Sequence, residues 1–210
     1  PKPSSAASDV YKRQLHDTFC VKHINVCTYQ AVSGSGKDGV EELLQQSSAY
    51  IDQRSIDKKV YPKQIAFNSI PFVDCFLENN YTREEMKMVW ETHKILDENI
   101  SVNPTAVRVP VLVGHAESIY IETEKEIDIE LAKNCLNEFT GISVVDDVQE
   151  VDFPTSFEHG HGTDDVYVGR IRKGLSKNNS LNLWVVADNV RKGAALNSIQ
   201  IAENLVGSKM

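Results

Sequence analysis

The sequence predicts an α+β domain built on a mixed, largely antiparallel sheet with helices on one face. Two observations lead to this fold class. Six segments have the β-branched and aromatic composition of strands, and four segments with a helical apolar period are interspersed among them. The middle of the chain lacks the strict strand–helix–strand repeat of a parallel α/β fold, so consecutive strands are expected to pair directly there.

The N-terminal half contributes one strand and two helices to this prediction. Residues 23–30 alternate apolar and polar side chains, and small residues then lead into a helix over residues 38–49. A second helix is predicted over residues 83–97. Thr82 is its expected N-cap, and Glu85 lies three residues later, where it completes a capping box.

The C-terminal half supplies the other strands. Residues 106–115 and 117–125 are rich in β-branched residues, and we expect them to pair as neighbours before a helix over residues 128–139. Three further strand candidates are ISVVDD, DVYVGRIRK and LNLWVVADN. A last helix with an apolar stripe is predicted over residues 189–205. YIETE and WVVAD place large apolar side chains among polar ones, so we expect a second copy to cover the open sheet face.

Composition narrows the function classes. The chain has 210 residues, and 22 basic against 30 acidic residues give a net charge of −8. A nucleic-acid partner bound through a broad basic surface is therefore not expected. No apolar run approaches the roughly 20 residues that span a bilayer, and no secretory signal is visible. We expect a cytoplasmic protein without a membrane partner, or a plastid protein if the source is a plant or alga.

The cysteines and histidines do not suggest a metal site. The spacing of the four cysteines is not that of metal ligands, and each lies in an apolar context typical of a core thiol. They are Cys20, Cys27, Cys75 and Cys135. His159 and His161, in FEHGHGTDD, have no third histidine or cysteine nearby, which favours a polar loop. No metal is predicted.

The segment SGSGKDG, residues 33–39, invites comparison with a nucleotide phosphate loop. Such a loop needs Lys followed by Ser or Thr, because that hydroxyl reaches a magnesium ion. Here Asp38 follows Lys37, and its carboxylate would repel a phosphate. A strand-to-helix turn explains the small residues better. It leaves Gln30 at a strand end, where sites are usually built.

Polar residues at element ends are the site candidates, and they are Gln30, Glu84, Lys87, Arg108 and His115. Spacing alone does not make them a site. Glu84 and Lys87 are three residues apart on a helix, as in an ordinary solvated pair. Arg108 and His115 are expected on opposite faces of an alternating strand, unless an irregularity such as Gly114 brings them together.

Four longer strings are more specific than these spacings. They are TYQAVSGSGKDGVEEL, EEMKMVWETHKIL, VRVPVLVGHAESIYIE and DVYVGRIRKGLSKNNSLNLWVVADNVRKGAALNSIQIAE. Together they resemble the C-terminal two-thirds of the aspartate-semialdehyde dehydrogenase family, over nearly all of residues 15–206. The resemblance implies NADPH-dependent reduction of aspartyl phosphate to aspartate semialdehyde through a cysteine thioester, on the route to lysine, threonine and methionine.

The resemblance assigns a role to each candidate residue. Gln30 matches the glutamine that orients the acyl intermediate, and Arg108 matches the arginine that grips the substrate carboxylate. His115 matches the acid/base that deprotonates the nucleophilic thiol. Glu84 resembles the carboxylate that meets the substrate amino group, and Lys87 resembles the cation near its phosphate.

The cofactor and the domain division follow from the same resemblance. Ser33, Gly34 and Asn189 look like parts of the edge that faces the nicotinamide end of NADP. Residues 15–188 match the catalytic and dimerisation domain of a homodimer or homotetramer. Residues 189–210 resemble the C-terminal helix, a remnant of the nucleotide domain that packs on the rest of that domain.

Residues 1–14 match nothing in the family, and we expect them to be a disordered or artefactual tail. The glycine fingerprint and the catalytic cysteine of the family lie upstream of TYQAVSG, and the cysteine would fall at about Pro3. We therefore expect a truncated member that is inactive alone.

Two alternatives stay open. A non-catalytic dimerisation domain or pseudoenzyme would keep the substrate-binding half without the nucleophile. An N-acetylglutamyl-phosphate reductase would share the chemistry with a different substrate. Glu84 argues against this second alternative, because a free ammonium group favours a carboxylate partner and an acetylated nitrogen does not.

Overall fold

A computed structural model describes residues 6–191, and the side chains of residues 11–191. Its helices are α1 Ala6–Phe19, α2 Gly36–Ile51, α3 Arg83–Ile95 and α4 Ile129–Asn137, with a short 3-10 turn at Val32–Ser35. Its strands are β1 Val21–Gln30, β2 Ser101–Arg108, β3 His115–Thr123, β4 Ile142–Val144, β5 Val166–Lys173 and β6 Ser180–Ala187. The predicted helix over residues 189–205 lies outside the described residues except for its first three positions.

The strands form one six-stranded sheet in the order β2-β1-β3-β6-β5-β4. The β1–β2 and β4–β5 pairs are parallel, and the other three pairs are antiparallel. The predicted fold class is therefore confirmed. One predicted pairing is wrong, because β2 and β3 lie on either side of β1. The segment joining them, residues 109–114, crosses the end of β1, where Val109 N–H donates to the carbonyl of Gln30 at 3.0 Å.

Helices α1, α3 and α4 supply side chains to the main core on one face of the sheet. The prediction of a disordered tail over residues 1–14 is wrong from residue 6 onward, because α1 begins there. Tyr11, Leu15 and Phe19 repeat at a four-residue spacing, which places them on one helical face, and all three are buried in this core. Tyr11 also donates a hydrogen bond to Glu117 Oε2 at 2.7 Å. The Pro and Ser content of the first residues concealed this spacing.

Two buried side chains of α2, Glu42 and Gln46, fasten the connector at residues 52–70 to the helix, and we call them the anchor pair. The Glu42 carboxylate accepts four hydrogen bonds, from Gln46 Nε2 and from the backbone N–H groups of residues 59, 60 and 61. Gln46 Oε1 accepts from the N–H groups of residues 65 and 66, while its Nε2 also donates to the carbonyl of Asp57. The two side chains have four oxygen and nitrogen atoms between them, and each of these atoms takes part in at least one hydrogen bond.

Strand β2 lies at an edge of the sheet. At residues 104, 106 and 108, which face away from β1, it offers no free backbone N–H to another strand. Pro104 has no N–H to offer. Ala106 N–H donates to Glu85 Oε1 on α3 at 3.0 Å, and Arg108 exchanges two backbone hydrogen bonds with Ile70. Glu85 also forms the predicted capping box with Thr82, which is confirmed.

The face of the sheet away from α1, α3 and α4 carries aromatic side chains. Tyr29 and Trp184 pack with ring centroids 5.4 Å apart, and Tyr120 lies on the same face by strand alternation. None of the helices within residues 6–191 has the length and apolar character to cross a membrane.

Candidate active site

Three strand ends meet at one edge of the sheet and bring the predicted residues together. Gln30 ends β1 and pairs with Arg108, which ends the parallel strand β2. His115 begins β3, which runs antiparallel on the other side of β1. Arg108 and His115 therefore approach the same place from two different strands. Strict alternation predicted opposite faces, and it does not apply because the two residues belong to different strands. The irregularity at Gly114, which the sequence offered as the exception, lies directly before His115.

The peptide of Ala31 holds both side chains. Its N–H donates to His115 Nδ1 at 3.0 Å, and its carbonyl accepts from Arg108 Nη1 at 2.6 Å. Arg108 is 6 % exposed, so this hydrogen bond lies in a largely dry environment. A main-chain group of a residue without a functional side chain thus organises the two predicted site residues.

Glycines permit the close approach of the surrounding backbone. A Cβ at Gly34 would lie 2.9 Å from Arg108 Nη1 and 3.3 Å from His115 Nε2, so only a residue without a side chain leaves this space open. Gly114 has φ +87°, and a Cβ there would lie 2.5 Å from the carbonyl oxygen of Gly160. This glycine lets the connection between β2 and β3 turn into His115.

Gln30, Glu84 and Lys87 form a second part of the site. Gln30 Nε2 donates to Thr28 Oγ1 and to Glu84 Oε1, both at 3.3 Å. Lys87 Nζ lies 2.9 Å from Glu84 Oε2, and the two side chains are 27 % and 15 % exposed. The pair is therefore not the solvated surface pair that its spacing alone suggested. The capping box at the start of α3 fixes the helical turn that carries Glu84.

Ser33 and Asn189 face each other beside this edge. The Ser33 hydroxyl and the Asn189 side-chain amide are joined by contacts of 3.0 and 3.1 Å, and Gly114 N–H donates to Asn189 Oδ1 at 3.0 Å. The neighbouring Asp188 is buried and accepts hydrogen bonds from three backbone N–H groups, at residues 162, 190 and 191. These bonds fix the chain that carries Asn189.

Burial and a neighbouring cation set the charge state of the site. Burial, with a further contribution from the positive charge of Arg108, lowers the pKa of His115 to about 3. Burial also lowers the pKa of Arg108, which still remains a cation at neutral pH. The imidazole is therefore neutral across the physiological range and lies beside a charged guanidinium.

Three of the cysteines lie away from this edge. Cys135 packs against the main core from α4, which confirms it as a core thiol, and Cys20 precedes the far end of β1. Cys27 is half-buried on the aromatic face of β1, so the expectation that it packs in the core is wrong. Burial raises the pKa of the Cys27 and Cys135 thiols, which disfavours a thiolate at either position.

The histidine-rich loop makes local contacts. His159 Nδ1 accepts from Thr155 N–H, and its ring packs edge-on against Tyr167 with centroids 5.0 Å apart. In the part of the chain that the structure describes, no group of three His, Cys, Asp or Glu side chains is placed to hold a metal ion.

Comparison with known proteins identifies the family. The family model described as semialdehyde dehydrogenase, dimerisation domain, matches residues 13–192. The chain belongs to the semialdehyde dehydrogenase family. The resemblance found in the four sequence strings is thereby confirmed.

Curated relatives and solved structures in the semialdehyde dehydrogenase family agree with this assignment. An aspartate-semialdehyde dehydrogenase of Shewanella violacea is 52 % identical over 98 % of this chain, and one of Legionella pneumophila is 48 % identical over 98 %. The crystal structure of aspartate semialdehyde dehydrogenase II from Vibrio cholerae, 46 % identical, matches all of this chain with a TM-score of 0.95. The chain spans 61 % of the Shewanella protein, 59 % of the Legionella protein and 62 % of the Vibrio chain.

Two further solved structures of semialdehyde dehydrogenases are complexes with small molecules. A second Vibrio cholerae structure is of the enzyme complexed with ASA, again with a TM-score of 0.95. A Candida albicans enzyme was solved with NADP, and at 23 % identity and a TM-score of 0.69 it shares the fold.

Sequence reasoning missed two contributors to this candidate site. Ala31 acts through its backbone, which no residue pattern reveals. Thr28 bonds Gln30 from two positions earlier on the same strand face, and the alternation of β1 was a signal sufficient to find it.

Proposed function

We propose that the complete protein is an aspartate-semialdehyde dehydrogenase, and that this chain supplies its substrate-binding and dimerisation part. The reaction is the reductive dephosphorylation of aspartyl phosphate to aspartate semialdehyde and phosphate. The observation that carries the proposal is the arrangement around Ala31, where Arg108 and His115 converge beside the Gln30–Glu84–Lys87 group. The names of the relatives at 48–52 % identity favour aspartyl over N-acetylglutamyl phosphate as the substrate.

The charges of the site suit both ends of this substrate. Arg108 donates one N–H to Ala31, and the rest of its planar guanidinium offers a fork for the substrate carboxylate. Glu84 provides a carboxylate for the ammonium group, and Lys87 provides a cation for the phosphate. Gln30 is held through its amide nitrogen by Thr28 and Glu84, which leaves its amide oxygen to orient the acyl group.

The residues assigned to NADP fit a nicotinamide edge. Gly34 has no side chain, so a flat ring can approach the backbone next to His115, and Ser33 with Asn189 presents a hydroxyl and an amide there. When bound, NADPH supplies the hydride that reduces the acyl group. Gln30 would hold the acyl group in position for this transfer.

The aromatic face of the sheet is the proposed dimer contact. The packed pair of Tyr29 and Trp184 gives it an apolar centre, as stable interfaces have. A second copy would cover this face and form a homodimer, consistent with the dimerisation domain that the family model describes. We place the enzyme in the cytoplasm, and the bacterial relatives give no support to a plastid location.

A fusion protein tests the proposed activity. The N-terminal part of the Vibrio cholerae relative, extended through the segment that matches residues 1–14 of this chain, is joined ahead of residue 15, so that the fusion carries the relative's own residue at the position of Pro3. Phosphate-dependent reduction of NADP with aspartate semialdehyde is then measured for the fusion and for the 210-residue chain. We expect activity in the fusion and none in the chain alone, with no turnover of N-acetylglutamate semialdehyde.

Each other outcome has a definite meaning. A folded, inactive fusion would favour a non-catalytic dimerisation domain. Activity in the 210-residue chain would show that a nucleophile lies within it, against the assignment of the nucleophile to a position near Pro3.

A further inference from the structure

We propose that Glu85 is a positioning residue that sets the spacing between Glu84 and Arg108, the groups assigned to the ammonium and the carboxylate of the substrate. Its carboxylate joins the first turn of α3 to strand β2 by one hydrogen bond on each oxygen. These two hydrogen bonds are features of the structure, and their meaning for substrate binding rests on the proposed function.

Each oxygen of the Glu85 carboxylate accepts a hydrogen bond from a different element. Oε2 accepts from the backbone N–H of Thr82, the N-cap of α3, at 2.7 Å. Oε1 accepts from the backbone N–H of Ala106 in β2 at 3.0 Å. Glu85 is 9 % exposed, so both hydrogen bonds are largely shielded from water. One carboxylate therefore connects the start of the helix to the strand, and we call this connection the Glu85 link.

Both ends of the Glu85 link lie next to assigned substrate-binding residues. Glu84 precedes Glu85 on the same helical turn, and its side chain is 15 % exposed. Arg108 lies two residues after Ala106, about 7 Å along the strand, and on the same face by alternation. A movement of α3 along β2 or away from it would therefore change the separation of Glu84 and Arg108.

Arg108 and Glu84 are each also connected to the end of β1, and this second connection is the weaker restraint on α3. Arg108 donates to the carbonyl of Ala31 and is paired in register with Gln30. Glu84 accepts from Gln30 Nε2 at 3.3 Å, a longer hydrogen bond that depends on the conformation of a side chain. The Glu85 link has shorter hydrogen bonds, and both of them end on main-chain groups.

The chemistry of the substrate explains why this spacing matters. In aspartate semialdehyde the ammonium and the carboxylate are on the same carbon atom, so Glu84 and Arg108 must reach both groups at once. The aldehyde must meanwhile lie where Gln30 holds the acyl group. Displacing a binding group by about 1 Å can cost roughly 100-fold in rate, because the reacting atoms are then misplaced. Glu85 keeps the two binding groups at the spacing that the substrate requires.

Two substitutions separate this role from helix capping alone. Thr82 Oγ1 accepts from the N–H of Glu85 at 3.2 Å, so Thr82→Ala weakens the capping box and leaves both carboxylate hydrogen bonds in place. Glu85→Met has a similar length and removes both acceptor oxygens. Thr82→Ala is therefore the matched control for the start of the helix, and Glu85→Met breaks the Glu85 link.

Amide hydrogen exchange in the 210-residue chain tests the Glu85 link without any need for activity. The N–H of Ala106 points away from β1, so its protection depends on Glu85. By NMR we expect Glu85→Met to speed the exchange of this amide about tenfold relative to Thr82→Ala. Glu85→Gln, which keeps one acceptor oxygen and the capping pattern, gives the same comparison if Glu85→Met does not fold. Equal exchange in the substituted protein and in the control would overturn the link.

A double-mutant comparison in the active fusion protein tests the positioning role. We expect Glu85→Met to lower kcat/KM for aspartate semialdehyde about tenfold, and Thr82→Ala to lower it less than about twofold. In a Glu84→Gln background, Glu85→Met should cost less than about threefold, because the group that it positions is already altered. Equal losses in both backgrounds would overturn the positioning role. An unsubstituted fusion without activity would contradict the proposed function, and the exchange of the Ala106 amide would still decide whether the link exists.

Discussion

The anchor pair on α2 and the candidate active site are both clusters of buried polar side chains, yet they are bonded in opposite ways. Glu42 and Gln46 use their oxygens and nitrogens on the chain's own backbone and on each other. In the site, Arg108 gives one N–H to Ala31, and His115 is bonded through Nδ1 while its ring borders the space beside Gly34.

The difference shows how a structural polar cluster is told from a functional one. A fully bonded buried group stabilises the fold, and its removal leaves several backbone groups without partners. A partly bonded group adds little to folding and keeps donors or acceptors for a ligand. Substitutions in the two clusters should therefore separate stability from activity.

The largest effect is expected at Arg108. In the fusion protein, Arg108→Met should lower kcat/KM roughly 1,000-fold, because the buried guanidinium that binds the substrate carboxylate is lost. The free energy of unfolding should change by less than about 1 kcal/mol, since removing a buried charge offsets the lost hydrogen bond. Steady-state kinetics and urea denaturation measure the two. Arg108→Lys, which keeps the charge without the fork, should remain well below the unsubstituted protein.

The next effect is expected at Glu42. Glu42→Ala should lower the free energy of unfolding by about 3 kcal/mol, because several buried N–H groups lose their acceptor. Urea denaturation of the 210-residue chain measures this. The adjacent Glu41 is the matched control: its ion pair with Lys37 is exposed, so Glu41→Ala should cost less than about 0.5 kcal/mol. Equal losses at both positions would remove the distinction between the clusters.

The lowered pKa of His115 should be visible in the pH dependence of the free energy of unfolding. Its pKa is lowered in the folded protein to about 3, whereas an unfolded histidine titrates near about 6.5. As the pH falls below the unfolded value, the unfolded chain takes up a proton that the folded site refuses, so stability should decrease from pH 6.5 toward 3. Denaturation midpoints of the 210-residue chain and of His115→Gln measure the effect. The variant should lose less stability over this window, and identical slopes would contradict the lowered pKa.

The smallest effect is expected at Thr28. Thr28→Val keeps the shape and removes the oxygen that holds Gln30, so kcat of the fusion protein should fall about tenfold, the equivalent of about 1.4 kcal/mol. KM should change little, because the substrate ends are bound elsewhere. Thr28→Ser restores the hydroxyl and should restore most of the rate. A variant with unchanged kcat would show that Glu84 alone orients Gln30.

Local patterns predicted much of this fold. The alternation of residues 23–30 and the capping signal at Thr82 depend on neighbours in sequence, and both appear as expected. The pairing of β2 and β3 with β1 depends on how a distant segment crosses a strand end, which no local pattern records. Helix α1 was missed because the Tyr11–Leu15–Phe19 spacing was outweighed by the composition of the residues before it.

The features of the candidate site also divide into those that the sequence predicted and those that depend on the three-dimensional fold. Gln30, Arg108 and His115 carry recognisable side chains, so the resemblance to a family pointed to them. Their convergence on Ala31 and the opening beside Gly34 are properties of backbone in three dimensions. A residue that contributes only its peptide group leaves no chemical signature in the sequence.

The edge strand β2 has a consequence for how copies of this protein associate. Pro104 offers no donor, the N–H of Ala106 is taken by Glu85, and Arg108 is paired with Ile70. An incoming strand therefore finds no continuous ladder to extend, and growth by strand addition is blocked on this side. Strand addition at an open edge can propagate into fibres, and the occupied groups of β2 disfavour that route at this edge.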